Sequence, residues 1–236
     1  MSISERLLKI KESLPEGVTL VAVSKYHPEE ELMEAYAAGQ RVFGENIVQE
    51  LVRKQASLPK DIAWHFIGHL QRNKVKYIAP FVSLIHAVDS LDLLREIDRQ
   101  AKKHNRTIPC LLQVHIAEEA TKFGFTAEAC EAFVADGEWR GLENVEIHGL
   151  MCIATHSDDV DKVRKEFRQM KSLFFHLKET AFNDAPFFNL CSWGMSEDYE
   201  VAIGEGSNMV RIGTSIFGQR PVKRELPDKD NNINNR

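Results

Sequence analysis

Thr19-Leu20-Val21-Ala22-Val23-Ser24-Lys25-Tyr26-His27-Pro28 is the stretch from which the fold of this chain can be read. Thr19 to Val23 is an almost unbroken β-favouring apolar run without polar alternation, as expected of a parallel strand covered on both faces. Pro28 suits the first turn of a helix, where its missing N–H costs nothing. Lys25 therefore falls where a strand hands over to a helix, and in a barrel of such units that edge is where chemistry is done. A lysine held among apolar neighbours is poorly solvated as a cation, and its free amine becomes a nucleophile towards carbonyls. A surface lysine closing a strand is the plainer reading, so the weight rests on what the rest of the chain brings beside it.

Outward from this stretch, strand and helix patterns alternate. Upstream, Ser2 and Glu5 have capping-box spacing, and Ile3, Leu7, Ile10 and Leu14 form one apolar stripe, so a leading helix is expected. Downstream, strands are expected at 41–46, 63–68, 83–88, 110–116, 145–153, 187–191 and 209–212. Helical patterns separate them, one capped by Ser90 and one a basic segment from Arg72 to Ile78. The clearest carries Val160, Val163, Phe167, Met170, Phe174 and Leu177 at alternating three and four. With the opening strand this makes eight strand–helix units, which predicts an α/β fold, a (β/α)8 TIM barrel with an extra N-terminal helix. The expected organisation is a single domain over 1–222 and a disordered tail over 223–236, where charged and asparagine residues leave little to bury.

The chain has 236 residues, 43% hydrophobic and 28% charged, enough for a sizeable core. A net charge of -5 suggests no nucleic-acid partner, and no apolar run suggests a signal core or membrane span. Cys110, Cys130, Cys152 and Cys191 are scattered without a Cys-x-x-Cys pair, so reduced thiols and a cytoplasmic location are expected.

Two late segments carry candidate chemistry. Ser192-Trp193-Gly194-Met195-Ser196 is expected as the loop after strand seven, and Arg211-Ile212-Gly213-Thr214-Ser215 runs out of strand eight. In barrels these two loops, with a helix N-terminus, often form a phosphate site built from backbone N–H groups. Gly213 would let the backbone approach an anion, with hydroxyls from Ser192 and Thr214. Closure of the barrel sets strand eight against strand one, which brings this cradle beside Lys25. A phosphate site next to a nucleophilic lysine suits a ligand with a phosphate at one end and an aldehyde at the other. Pyridoxal phosphate has that form, and so do phosphosugar substrates of Schiff-base aldolases. Arg211 lies two residues before Gly213 and so on the same strand face, from which it can reach a pyridine nitrogen or serve the phosphate or an ion pair instead.

The histidines give no metal set. His65 and His69 lack a common helical face, and His86, His115 and His148 lie in separate strands without a completing carboxylate, so packed or hydrogen-bonded histidines are expected. Arg72, Lys74, Lys76 and nearby Lys54 read as a solvated helix face.

Taken together, Ala22-Val23-Ser24-Lys25, Phe43-Gly44-Glu45-Asn46, Trp64-His65-Phe66-Ile67-Gly68-His69-Leu70-Gln71 with Asn73-Lys74, Gly149-Leu150-Met151-Cys152-Ile153-Ala154, and Gly194-Met195-Ser196 running on to Val210-Arg211-Ile212-Gly213-Thr214 resemble one family. It is the pyridoxal phosphate homeostasis proteins, similar in fold to the barrel domain of alanine racemase. The resemblance spans about Val21 to Gly218. It implies that Lys25 holds pyridoxal 5'-phosphate as a Schiff base, that Arg211 faces the pyridine nitrogen, that Ser192, Gly213 and Thr214 hold the phosphate, and that Asn46 lies close to the ring. The family's usual Leu-Ser-Met-Gly-Met-Ser reads Cys191-Ser192-Trp193-Gly194-Met195-Ser196 here, which puts Trp193 beside the phosphate loop. The function implied is intracellular homeostasis and delivery of the cofactor, by a monomer that makes transient contact with apo-enzymes, without strong turnover of its own. The alternatives are a pyridoxal phosphate-dependent amino-acid racemase and a cofactor-free Schiff-base aldolase.

Overall fold

Each apolar run becomes a parallel strand, and the computed structural model, which describes residues 1–116 and 123–219, joins these strands in chain order into a closed barrel. The leading helix α1 (Ile3–Ser13) carries the expected capping box between Ser2 and Glu5. Then follow β1 (Thr19–Val23), α2 (Glu29–Ala37), β2 (Val42–Glu45), α3 (Val48–Ser57), β3 (Ala63–Phe66) and α4 (Val75–Ile78). The next units are β4 (Leu84–Val88), α5 (Leu91–Lys103), β5 (Ile108–His115), α6 (Ala127–Asp136), β6 (Val145–Ile153) and α7 (Val160–Thr180). The chain closes with β7 (Leu190–Met195), α8 (Tyr199–Gly204), β8 (Met209–Ile212) and the short α9 (Thr214–Phe217). Closure is direct: β1 pairs β8 with Val21 opposite Arg211 and Ala22 opposite Ile212.

Consecutive strand residues point to opposite faces, which divides the core in two. Val21, Leu84, Leu111, Met151 and Met209 meet inside the barrel and plug it. Their neighbours Leu20, Ile85, Leu112, Leu150 and Val210 face outward into the layer shared with the helices. Gly149 lets β6 and β7 approach: at its φ of 152° a Cβ would sit 1.9 Å from the Leu190 carbonyl oxygen.

The strand expected at 187–191 instead runs from Leu190 to Met195. Phe188 belongs to an aromatic stack outside the barrel, 4.0 Å from Phe182 and 5.0 Å from Phe174, so the strand begins only after it. Ser192, Trp193 and Gly194 are thus strand residues rather than loop. Trp193 faces the outer core at 1% exposure, which corrects its expected place beside a phosphate loop. The basic segment expected as one helix divides into a 3-10 turn (Arg72–Lys74) and α4. Val160, expected on the apolar stripe of α7, is exposed at the helix start, whereas Val163, Phe167, Met170, Phe174 and Leu177 are buried as the spacing predicts. The tail expected over 223–236, and its boundary with the barrel, lie outside the described residues.

Candidate functional site

At the C-terminal mouth of the barrel, Lys25 is half-buried in the turn between β1 and α2, two residues beyond the strand. His27 N–H closes the turn by donating to the Ser24 carbonyl (3.1 Å). Tyr26 sits at φ 67°, the left-handed region that bulky residues avoid, with 45% exposure. The buried His27 ring stacks on Phe217 of α9 at 4.9 Å, tying the lysine turn to the end of β8.

Gly213 follows β8 directly, and a Cβ there would lie 3.0 Å from the Val23 carbonyl oxygen, so this backbone runs against the end of β1. In α9 the Ile216 and Phe217 N–H groups both donate to the Gly213 carbonyl. The first-turn N–H groups of Thr214 and Ser215 have no carbonyl within this helix to reach, and both residues are exposed. Gly213 N–H donates to Ser196 Oγ (3.3 Å), which joins the loops after β7 and β8. Ser196 belongs to the Gly194-Met195-Ser196 motif, whose spacing by itself gives it no role.

Below this mouth, polar residues cross the barrel above the apolar plug. Arg211, 4% exposed, donates from Nη1 to the Ser192 carbonyl (2.6 Å) and Oγ (2.7 Å), and from Nη2 to the Cys152 carbonyl (2.7 Å). Ser192 Oγ also lies 3.0 Å from His86 Nδ1, and His86 Nε2 lies 3.0 Å from His65 Nδ1. Burial lowers the His65 pKa to about 4 and that of His86 well below its ordinary value, with His65 and Arg211 adding to the effect on His86. Both imidazoles are therefore neutral near pH 7. Burial also lowers the Arg211 pKa, yet a guanidinium stays charged. Ser192, expected in a loop, is engaged inside the barrel because β7 runs beyond it.

Asn46 follows β2, and its buried Oδ1 has no hydrogen-bond partner among the described residues. The same holds for His115 Nε2 at the end of β5. Glu45 Oε2 and Trp193 Nε1 are unpaired in the same way among the described residues, so an unpaired atom alone does not mark a ligand here, and Asn46 is notable for also lying at the strand end of β2. No cluster of three or more metal-ligating side chains occurs among the described residues, and no helix there is long and apolar enough to cross a membrane.

Sequence reasoning missed one cluster altogether. Lys54, read as part of a solvated face, is 0% exposed and donates to the Ser24 carbonyl (2.7 Å), Glu45 Oε1 (2.7 Å) and Glu50 Oε1 (2.8 Å). Ser24 Oγ donates to Glu45 Oε1 (2.6 Å), and Tyr26 N–H donates to Glu50 Oε1 (2.8 Å). Burial above all pushes the Glu45 carboxyl up to about 7, against the pull of Lys54. The only local signal was the i,i+4 spacing of Glu50 and Lys54, which surface pairs share.

A closed parallel barrel with a lysine just past β1 and a small helix N-terminus beside it places the chain in the class of the alanine racemase N-terminal domain, whose family model matches residues 2–221. Within that class, the chain belongs to the pyridoxal phosphate homeostasis protein family. It is 40% identical over 221 residues to the pyridoxal phosphate homeostasis protein of Aquifex aeolicus, covering 92% of this chain and 94% of the relative. Identity to that of Escherichia coli K12 is 38% over 216 residues, with 89% of each covered. PipY of Synechococcus elongatus PCC7942, solved with pyridoxal phosphate bound, superposes with a TM-score of 0.83 at 37% identity, covering 92% of this chain and all of that one. Alanine racemase of Clostridium difficile 630 shares the fold at 15% identity and a TM-score of 0.75, this chain covering 58% of it.

Proposed function

We propose that this protein binds pyridoxal 5'-phosphate covalently and reversibly at Lys25 and acts in the homeostasis and delivery of that cofactor. The observation that carries the reading is the half-buried Lys25 turn packed through His27 against α9, where Thr214 and Ser215 open a first turn whose N–H groups have no carbonyl in the helix, one strand-end away from the buried Arg211 guanidinium on β8. The residues fit the cofactor. Its phosphate suits the backbone N–H groups at Thr214 and Ser215, just past Gly213, and the Thr214 hydroxyl, its pyridine nitrogen suits the Arg211 donors, and the unpaired Asn46 Oδ1 suits a ring substituent that can donate. Ser192 acts in this reading by holding Arg211, and Ser196, which accepts from Gly213 N–H, takes the place on the phosphate side expected of Ser192.

When bound, the cofactor supplies an aldehyde for the lysine and, in enzymes, an electron sink. Arg211 offers only donors, so it leaves a pyridine nitrogen unprotonated and blunts that sink. This supports a carrier that does not racemise amino acids. In keeping with a carrier, we expect a cytoplasmic monomer that meets apo-enzymes transiently. Borohydride reduction of the protein mixed with pyridoxal phosphate, followed by peptide mapping, tests the assignment. The label is expected on the peptide that contains Lys25, and to be lost in Lys25→Ala. Label on a different lysine of the parent protein would overturn it.

A further inference from the structure

We infer that the buried Glu45–Lys54–Glu50 cluster is a positioning device for Lys25, and that it sets how fast this amine bonds an aldehyde. The inference rests on the assignment of Lys25 as the covalent anchor.

The cluster touches the chain on both sides of the lysine. Before it, Ser24 is held twice: its carbonyl accepts from Lys54 Nζ and its hydroxyl donates to Glu45 Oε1. After it, Tyr26 N–H donates to Glu50 Oε1. Lys54 has three donors and uses all three, on Ser24, Glu45 and Glu50, so the ammonium fixes the carboxylates that fix the turn. The positions flanking Lys25 are thus specified by charged groups on β2 and α3.

Stability alone does not account for such a cluster. Burying an ammonium with two carboxylates carries a desolvation cost that apolar packing would avoid, and such groups often add no net stability. What apolar side chains cannot supply is direction. Tyr26 at φ 67° is a costly conformation for a bulky residue, and strain of this kind persists only where surrounding bonds over-determine it. The Glu50 acceptor is one such bond. It holds the turn that sets where the Lys25 side chain starts.

The step affected is the addition of the neutral Lys25 amine to an aldehyde carbon. A C–N bond forms, protons pass to the carbonyl oxygen, and that oxygen leaves as one water. A ligand with the same ring and phosphate but an alcohol in place of the aldehyde undergoes no such step. Pyridoxine 5'-phosphate is that ligand, so it separates positioning of Lys25 from the integrity of the site.

The test measures, for the parent protein, Glu50→Ala, Glu50→Gln and Ser24→Ala, the rate of imine formation with pyridoxal phosphate by stopped-flow absorbance. It also measures affinity for pyridoxine 5'-phosphate and, without ligand, hydrogen exchange across 24–26. Glu50→Ala is expected to slow imine formation by about tenfold or more, as loss of a charge-assisted bond implies. It should speed exchange at 24–26 while changing pyridoxine 5'-phosphate affinity by no more than about twofold. Glu50→Gln retains a carbonyl for Tyr26 N–H and should restore most of the rate. If Glu50→Ala does not fold, Ser24→Ala, which removes one hydroxyl, decides the matter with an expected slowing of about threefold or more. A parental imine rate in the folded variant, or an equal loss for both ligands, overturns the positioning role. Label on another lysine of the parent protein after borohydride would overturn the anchor assignment itself, before any variant is measured.

Discussion

Lys54 and Arg211 are both buried cations, yet their surroundings differ. Lys54 meets two carboxylates, whereas the contacts of Arg211 are with the neutral oxygens of Ser192 and Cys152. A guanidinium so placed can stabilise an electron-rich ring atom without competing with a carboxylate in contact. Arg211→Gln should therefore shift the absorbance spectrum of bound pyridoxal phosphate. Thr214→Ala should instead weaken retention by about 1.5–3 kcal/mol, the range for a hydrogen bond to a charged group. Dialysis followed by absorbance reads both, and unchanged retention in Thr214→Ala would remove that residue from the phosphate side. The buried titratable groups make a second prediction. His65 is lowered from 6.5 to about 4 in the fold, so its stabilising contribution is complete above pH 6.5 and is lost as pH falls towards 4, by roughly 3 kcal/mol. His86 acts in the same direction. Glu45 is raised from 4.5 to about 7, so the folded state gains from its protonation as pH falls from 7 to 4.5, and the two effects oppose one another. Urea unfolding between pH 7 and 4.5 should show a steeper acid loss in Glu45→Gln than in the parent protein; equal slopes would show that Glu45 does not titrate in this window.

At the scale of elements, the site depends on how far β7 and β8 extend towards the mouth. β6 pairs β7 with Gly149 opposite Leu190 and Met151 opposite Ser192. This register brings Ser192 under Arg211 and the Cys152 carbonyl to its other amino group. Gly149→Ala would force a methyl into the Leu190 carbonyl and pry the two strands apart. The expected cost is about 3 kcal/mol or more, since a backbone clash at a special φ is among the severe single-residue changes. Chemical denaturation would measure this, and cofactor retention should fall with it. A loss below about 1 kcal/mol would mean that the strands part easily and that the β6–β7 register is not what holds Ser192.

For the molecule as a whole, the question is whether the barrel carries or transforms its ligand. A ligand bound only by the folded state stabilises it by about 2.7 kcal/mol at a hundredfold excess over Kd. For a domain of this size that corresponds to a Tm increase of roughly 5–10 °C. Pyridoxal phosphate should produce such an increase in the parent protein, and much less in Lys25→Ala. Racemisation further requires a proton acceptor on each face of a bound amino acid. Of the four tyrosines, Tyr36 is hydrogen-bonded to Asp61, Tyr199 to Glu200, Tyr77 lies against Lys74 and Lys76, and Tyr26, next to Lys25 in the turn, is held through its N–H by Glu50. The protein should therefore transfer cofactor to an apo-enzyme but exchange no α-proton of alanine in deuterated water. Exchange well above that of free pyridoxal phosphate, and absent from Lys25→Ala, would show an enzyme instead.

Local chemistry sufficed for much of this protein. Strands β6 and β8 fall where their apolar runs predict, Ser2 and Ser90 cap the helices they precede, and the period of α7 identifies its buried face after the first turn. These patterns depend on neighbours one to four residues away, so the sequence alone determines them, and repeated eight times they determine the barrel. By family resemblance the ordered motifs also point to Lys25, Asn46, Ser192, Arg211, Gly213 and Thr214 as one candidate site, which the borohydride and variant experiments test. Only the tertiary structure decided what faces inward together. Lys54 looks like any helix-surface lysine until β2 and the β1–α2 turn close over it. Ser192 looks like a loop serine because Trp193 and Gly194 interrupt a short apolar run, yet Trp193 is the outward, buried half of a strand whose inward half is Ser192. His65 and His86, 21 residues apart, meet only because β3 and β4 send them to the same side of the sheet. Period and propensity act along the chain, whereas the burial and pairing of a polar side chain are set by partners that only strand register and barrel closure bring within reach.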